Sequence, residues 1–135
     1  MIGYFWIAIG SALGGVARVA GARLVGSWFG ESFPWGTLTV NITGSFIIGL
    51  LAALTGPDGR LMVSPDMRQF AMAGFCGGFT TFSAFSLQTL ELMRSRDFVG
   101  AGANVVLSVL LCMIAVWLGY VAASLLNGAR PLGGG

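Results

Sequence analysis

Long apolar runs separated by short polar stretches make up most of the chain. Four runs, at approximately residues 3–26, 36–54, 66–94 and 98–126, are long enough to cross a bilayer at about 20 residues per helix. All four prolines fall outside these runs. The pattern predicts an all-α membrane protein in which residues 1–127 form one domain of four transmembrane helices, followed by a disordered tail at 128–135.

The third run contains a stretch that fits a continuous helix poorly. Gly74, Gly77 and Gly78 are followed by Thr80 and Thr81, which weakens helix propensity and backbone hydrogen bonding. In hydrocarbon, irregular backbone persists only where it is buried in protein or lines a cavity. The stretch therefore predicts a third helix broken in mid-membrane and a candidate ion or substrate site, since unwound carbonyls can bind a cation. The alternative is close helix packing through the G-x-x-x-G pair of Gly74 and Gly78.

Small and polar residues recur every four positions on the other three runs. The sets are Gly10, Gly14 and Arg18 on the first run, Thr37, Asn41 and Ser45 on the second, and Asn104, Ser108 and Cys112 on the fourth. Residues at this spacing share one helix face, so each set predicts an inward face. Arg18 is expected to face protein or water; the alternative is an arginine that reaches the membrane interface from near the helix end. The polar sets suit either hydrogen bonds between helices or a hydrated path.

Composition narrows the class of protein. The chain is 56% hydrophobic and 9% charged, whereas an ordinary soluble domain carries about 25% charged residues. A net charge of +2 spread over loops does not indicate nucleic-acid binding. An enzyme is not expected, because the chain lacks histidine, lysine and a mid-membrane carboxylate for acid–base chemistry. The missing carboxylate also argues against the alternative of a proton-coupled transporter of the small multidrug type. A purely structural assembly protein would leave Asn41 and the Thr-Thr-Phe-Ser run unexplained.

Two phenylalanines beside the predicted break suggest a passive pathway for a small anion. Phe82 and Phe85 lie three positions apart, about one turn along the same helix face. The edge of an aromatic ring is positive, so ring edges turned into a pore can replace part of an anion's water shell. Further donors to the same ion are available on Asn41, Thr81, Ser83 and Ser108. The alternative for the phenylalanine pair is core packing or exposure to lipid.

The arginines near helix ends and in loops are divided equally between the two sides of the membrane. With four spans, Arg60, Arg68 and Arg130 lie on one side and Arg23, Arg94 and Arg96 on the other. Because the two counts are equal, the positive-inside rule predicts no preferred orientation, and the chain is expected to insert in both. Four helices also enclose too little volume for a pore, which favours an antiparallel, dual-topology dimer. The alternative is an orientation fixed by features other than charge.

Three motifs occur in order along the chain. They are G-G-V-A-R ending at Arg18, N-x-x-G-S-F from Asn41, and G-x-x-G-G-x-T-T-F-S-x-F-S from Gly74 to Ser86. In sequence, spacing and total length the chain resembles the Fluc (CrcB-type) fluoride channels over essentially its whole extent. The resemblance implies a fluoride-selective channel that exports cytoplasmic fluoride passively across the bacterial plasma (inner) membrane and protects against fluoride toxicity.

The resemblance also implies site residues and partners. The fluoride pathway would be lined by Arg18, Asn41, Thr81, Phe82, Ser83, Phe85, Asn104 and Ser108. A structural Na⁺ at the dimer interface would bind the backbone carbonyls of Gly77 and Thr80. The partner would be a second copy in antiparallel orientation, or, as in some members of the family, a different subunit. Two positions depart from the family pattern: Gln88 stands where many relatives carry glutamate, and Asn104 where some carry tyrosine.

Overall fold

The computed structural model describes residues 2–128, and within this range all regular structure is helical. The elements are α1 (Ile2–Phe29), α2 (Trp35–Leu54), α3 (Pro65–Gln69), a π-helical segment (Phe70–Cys76), α4 (Gly77–Phe79), α5 (Phe82–Arg94) and α6 (Phe98–Gly128). The elements from α3 to α5 follow one another in a single apolar span, Pro65–Arg94. The described chain therefore has four helical spans long and apolar enough to cross a membrane, which confirms the predicted all-α class with four spans.

Two helix ends lie beyond the predicted positions. α1 continues to Phe29 and ends where Gly30 adopts a φ of 83°, while the Gly30 N–H donates to the Gly26 carbonyl at 2.8 Å. Glycine enters this left-handed region without a steric penalty, which makes it a common helix terminator. α6 includes Gly128, and the rest of the predicted tail, residues 129–135, lies outside the described residues.

α1 packs against the first half of the third span with main chain touching main chain. A methyl group at Gly10 would overlap the carbonyl oxygen of Phe70, and one at Gly14 would overlap that of Phe75. Gly78 lies equally close to the main chain of α1. Because such an approach requires residues without a Cβ, the predicted inward face of α1 is confirmed. Close packing, the alternative interpretation of the glycine pair, holds as well.

α2 and α6 cross in the same manner. A methyl group at Gly49 would overlap the carbonyl oxygen of Val116, and one at Gly119 would overlap that of Phe46. The buried apolar core consists largely of small side chains: Leu38, Val40, Ala53, Cys76, Phe85, Ala101, Ala115 and Ala123. Most large apolar side chains point outward instead. This distribution suits helices that pack through small residues while lipid surrounds them.

The third span is interrupted after Phe79. Thr80 (φ −92°, ψ 157°) and Thr81 (φ −152°, ψ 116°) are extended, and α5 begins at Phe82. The glycines that precede the break are helical, which corrects the expectation that they unwind the span. Glycine therefore provides close approach to α1, whereas the two β-branched threonines, whose stiff side chains favour extended backbone, form the break itself.

Candidate functional site

An open groove of about 390 Å³ lies beside the break. Its lining comes from α2, the third span and α6 and consists of Asn41, Gly44, Ser45, Ile48, Cys76, Gly77, Thr80, Thr81, Phe82, Ser108, Val109, Cys112 and Met113. None of these described lining residues carries a formal charge. The groove thus brings together the break and polar residues from the predicted inward faces of α2 and α6.

The predicted site residues divide into two groups by their position relative to this groove. Those that line it are Asn41, Gly77, Thr80, Thr81, Phe82 and Ser108. Those outside its lining are Arg18, Ser83, Phe85 and Asn104. Hydrogen bonds or a ring contact join each member of the second group to the segment around the break or to Ser108.

Asn41 holds the break from the neighbouring helix α2. Its Nδ2 donates to the Thr81 carbonyl at 3.0 Å, and its Oδ1 accepts from the Thr81 N–H at 2.7 Å. The amide therefore pairs with both main-chain groups of Thr81, as a residue on an adjacent strand would. One of the two Nδ2 hydrogens remains for another acceptor, because a carboxamide has two donors.

The break takes the usual helical donors away from two carbonyls in the groove. In a continuous helix the Gly77 carbonyl would accept from the Thr81 N–H, and the Thr80 carbonyl from the Ala84 N–H. Here the Thr81 N–H donates to Asn41 Oδ1, and the Ala84 N–H donates to Thr81 Oγ1 at 3.2 Å. The carbonyl oxygens of Gly77 and Thr80 are thus left for other partners. Both residues line the groove.

The remaining polar groups around the break have partners of their own. The Cys76 carbonyl accepts from both the N–H and the Oγ1 of Thr80, at 3.1 and 3.0 Å. Arg18 Nε donates to the Gly78 carbonyl at 3.2 Å. Arg18 therefore contacts protein, one of the two surroundings expected for it, and its charge lies at the carbonyl end of a half-helix, where a cation is favourable. The hydroxyls of Thr81 and Ser83 pair with each other at 3.3 Å.

Phe82 and Phe85 contact each other but differ in exposure. Their ring centroids are 5.2 Å apart with an interplanar angle of 54°. Phe82 is 78% exposed at the groove, whereas Phe85 is 9% exposed and belongs to the core. Because the two rings are tilted, both can turn an edge toward the same space, Phe82 from the groove lining and Phe85 from the core.

A buried chain of hydrogen bonds connects α6 to α5 behind the groove. Ser108 Oγ donates to Asn104 Oδ1 at 3.4 Å, and Asn104 Nδ2 donates to Thr89 Oγ1 at 2.9 Å. Thr89 Oγ1 in turn donates to the Phe85 carbonyl at 2.8 Å. Asn104 is 2% exposed, so its amide depends on these neighbours for its hydrogen bonds.

A second cavity, of about 450 Å³, lies where α1 and α5 end and α2 begins. Its lining includes the charged residues Arg23, Glu31 and Glu91. Gln88 also lines it, and its buried Oε1 accepts no hydrogen bond from the described residues. This end of the molecule therefore presents charged groups that the groove beside the break lacks.

Comparison with known proteins gives the family. The family described as CrcB-like protein, Camphor Resistance (CrcB), matches residues 5–120. The chain belongs to this family. It is 57% identical over 127 residues to the fluoride-specific ion channel FluC of Opitutus terrae. The alignment covers 94% of this chain and 96% of the relative. The FluC proteins of Methylocella silvestris and Rhodospirillum rubrum are 54% and 55% identical over 124 residues, covering 92% of this chain and 95% and 96% of theirs.

Family membership and the four apolar spans identify the chain as a multi-pass membrane protein of an ion-channel family, not an enzyme. In this CrcB-like chain, sequence reasoning missed Thr89, which links Asn104 to the Phe85 carbonyl. Its spacing from Phe85, four positions, was the available signal, because threonine in a helix often donates to the carbonyl one turn back. The hydrogen bond from Asn104 on α6 to Thr89 joins two helices, so nothing in the local sequence indicated it.

Proposed function

We propose that the chain forms a fluoride-selective channel that exports cytoplasmic fluoride passively across the bacterial plasma (inner) membrane and so protects against fluoride toxicity. The observation that carries the proposal is the groove, in which the interrupted span, uncharged hydrogen-bond donors and the exposed Phe82 come together. The relatives named as fluoride-specific ion channels support the choice of ion.

The uncharged lining suits transit of an anion. A site in a channel must bind well enough to admit an ion and weakly enough to release it, and neutral donors meet both needs. The ring edges of Phe82 and Phe85 replace part of the water shell of the anion. The hydrogen-bond donors are the Ser108 hydroxyl, whichever of the paired Thr81 and Ser83 hydroxyls has its proton free, and the second amide hydrogen of Asn41. Arg18 and Asn104 act behind them, through Gly78 and Ser108.

The functional unit in this proposal is an antiparallel, dual-topology homodimer. One subunit leaves the groove open on one side and leaves Phe82 78% exposed beside it. A second copy in the opposite orientation closes the groove and surrounds that ring with protein. The equal division of arginines between the two membrane sides removes the charge bias that would otherwise fix one orientation.

A structural Na⁺ at the dimer interface belongs to the same proposal. The carbonyls of Gly77 and Thr80 fit a hard cation, because their usual helical donors are engaged by Asn41 and Thr81. Two carbonyls from each antiparallel subunit would supply four oxygen ligands. The bound ion would satisfy groups that lipid cannot, and it would raise the electrostatic potential near the anion pathway.

The test is anion efflux from liposomes that contain protein purified from this single chain. Measured with a fluoride-selective and a chloride-selective electrode, fluoride efflux should be well above chloride efflux. Phe82→Ile and Phe85→Ile remove the ring edge but keep an apolar side chain. Each should slow fluoride efflux about tenfold, the effect of roughly 1.4 kcal/mol at the barrier. Phe98→Ile, at the exposed start of α6, is the matched control and should conduct normally.

Three outcomes would overturn parts of the proposal. Equal efflux of fluoride and chloride would refute selectivity. Absence of efflux from the single-chain protein would refute the homodimer and favour a channel that needs a different second subunit. Normal fluoride efflux through both isoleucine variants would refute the role given to the ring edges.

A further inference from the structure

The hydroxyl of Ser108 points its only proton away from the groove that it lines. It donates to Asn104 Oδ1, at 3.4 Å, whereas the next bond in the chain, from Asn104 to Thr89, is 2.9 Å long. A serine hydroxyl has one hydrogen, so Ser108 presents only lone pairs to the groove in this arrangement. An anion in the groove would meet a negative surface at this residue.

Turning that proton toward the groove has a consequence for Asn104. Its Oδ1 is buried, and loss of the Ser108 donor would leave a buried acceptor without a partner, which is unfavourable. Rotation of the Ser108 hydroxyl alone is therefore opposed. A second arrangement of the same groups removes the penalty.

In that second arrangement both hydrogen bonds of the Asn104 amide run in the opposite direction, and the Thr89 hydroxyl turns away from the Phe85 carbonyl. Rotation of the Asn104 amide by about 180° exchanges its oxygen and nitrogen, as the two nearly isosteric ends of a carboxamide allow. The Thr89 hydroxyl then donates to Oδ1, Nδ2 donates to Ser108 Oγ, and Ser108 donates to the anion. The Phe85 carbonyl loses the Thr89 hydroxyl but keeps its helical N–H donor. Three donated bonds exist in each arrangement.

We propose that Asn104 is a positioning residue that controls, by reversal of this chain of hydrogen bonds, whether Ser108 donates to an anion in the groove. Asn104 does not touch the ion, because it is buried behind Ser108 and is not part of the groove lining. Thr89 is the third member, since its hydroxyl can serve Asn104 as acceptor or as donor. The inference rests on the proposed fluoride channel and assigns it a residue-level mechanism.

A double-mutant cycle on fluoride efflux tests the assignment. In Asn104→Leu the Ser108 hydroxyl has no side-chain partner and turns back to a main-chain carbonyl of its own helix, and Ser108→Ala removes the hydroxyl. Each variant should therefore reduce efflux about tenfold, as expected for loss of one hydrogen bond to a charged group. The double variant should be no slower than Ser108→Ala, because Asn104 acts only through Ser108. Ser124→Ala removes a hydroxyl from an exposed position on the same helix and should conduct normally. A double variant that is slower by the product of both effects overturns the proposal, as does wild-type efflux in Ser108→Ala.

Thr89 provides a second route if Asn104→Leu does not assemble. Thr89→Val keeps the shape of the side chain but removes the hydroxyl, and it should slow fluoride efflux several-fold. Thr89→Ser restores the hydroxyl and should restore efflux, which a purely steric role would not produce. Wild-type efflux in Thr89→Val overturns the proposal. Efflux by the unmodified protein tests the proposed function separately. Failure of that function is therefore distinguishable from failure of the proposed hydrogen-bond reversal.

Discussion

At the scale of single residues, side chains replace the backbone hydrogen bonds that a continuous helix would make at the break. Asn41 pairs with the N–H and the carbonyl of Thr81, and Thr81 caps α5 through the Ala84 N–H. An N-cap hydroxyl of this kind is typically worth about 1 kcal/mol. The break is therefore a defined structure held from α2, and its geometry depends on one amide.

Asn41→Leu should destabilise the protein. The substitution leaves the N–H and carbonyl of Thr81 without their side-chain partner. Such a loss costs about 1–3 kcal/mol for a fully buried group, and less for these partly buried ones. The midpoint of thermal unfolding in detergent should fall, and fluoride efflux should fall with it. Thr43→Val, two positions along α2, removes only an exposed hydroxyl that bonds within its own helix and is the matched control. Equal midpoints for the two variants would refute the role given to Asn41.

Sequence reasoning predicted the helical class, the interrupted third span and the polar face that holds Asn41, because each follows from local periodicity and hydropathy. The partner of Asn41 was beyond its reach. The pairing with Thr81 spans forty positions in sequence and depends on the position of α2 along the third span. The role of the glycines within the interrupted stretch was misjudged for a related reason. Glycine weakens a helix, but Gly78 has its closest neighbours on α1, and packing decides its conformation.

At the scale of elements, the contact between α1 and the third span should tolerate no added side chain. Gly14→Ala places a methyl group on the carbonyl oxygen of Phe75 and should lower the unfolding midpoint or prevent recovery of folded protein. Gly15→Ala is the matched control, because no atom beyond its chain neighbours and the nearby backbone of its own helix lies within 4 Å of the added carbon. That variant should be at least as stable as the parent, since alanine favours helix by about 1 kcal/mol over glycine. Similar losses in both variants would contradict the packing argument.

The proposed Na⁺ links the two halves of the third span. Because its ligands would be main-chain carbonyls, Thr80→Ser should leave fluoride efflux nearly unchanged. Replacing Na⁺ by a large organic cation throughout purification and reconstitution should weaken the dimer and slow efflux together. Elution volume in size-exclusion chromatography and efflux rate are the two measurements. Full efflux and an intact dimer after this exchange would rule out the ion.

At the scale of the whole molecule, the balanced arginines predict equal populations of two orientations. Met62, in the loop before α3, is 99% exposed and is a suitable labelling position. In a background without Cys76 and Cys112, Met62→Cys should react with an impermeant thiol reagent from both sides of the membrane in roughly equal shares. Labelling from a single side would exclude the dual-topology homodimer.

The contacts of Gly10 and Gly14 impose an unequal evolutionary constraint on the residues that meet there. Gly10 and Gly14 touch carbonyl oxygens of Phe70 and Phe75, atoms that every amino acid possesses. At Phe70 and Phe75 the side chains are free to change without affecting this contact, whereas Gly10 and Gly14 must be kept. The same reasoning requires the third span to keep Gly78, which meets the main chain of α1. In a deep mutational scan, positions 10 and 14 should therefore accept almost no substitution, while the positions they touch remain open to drift wherever no other role fixes them.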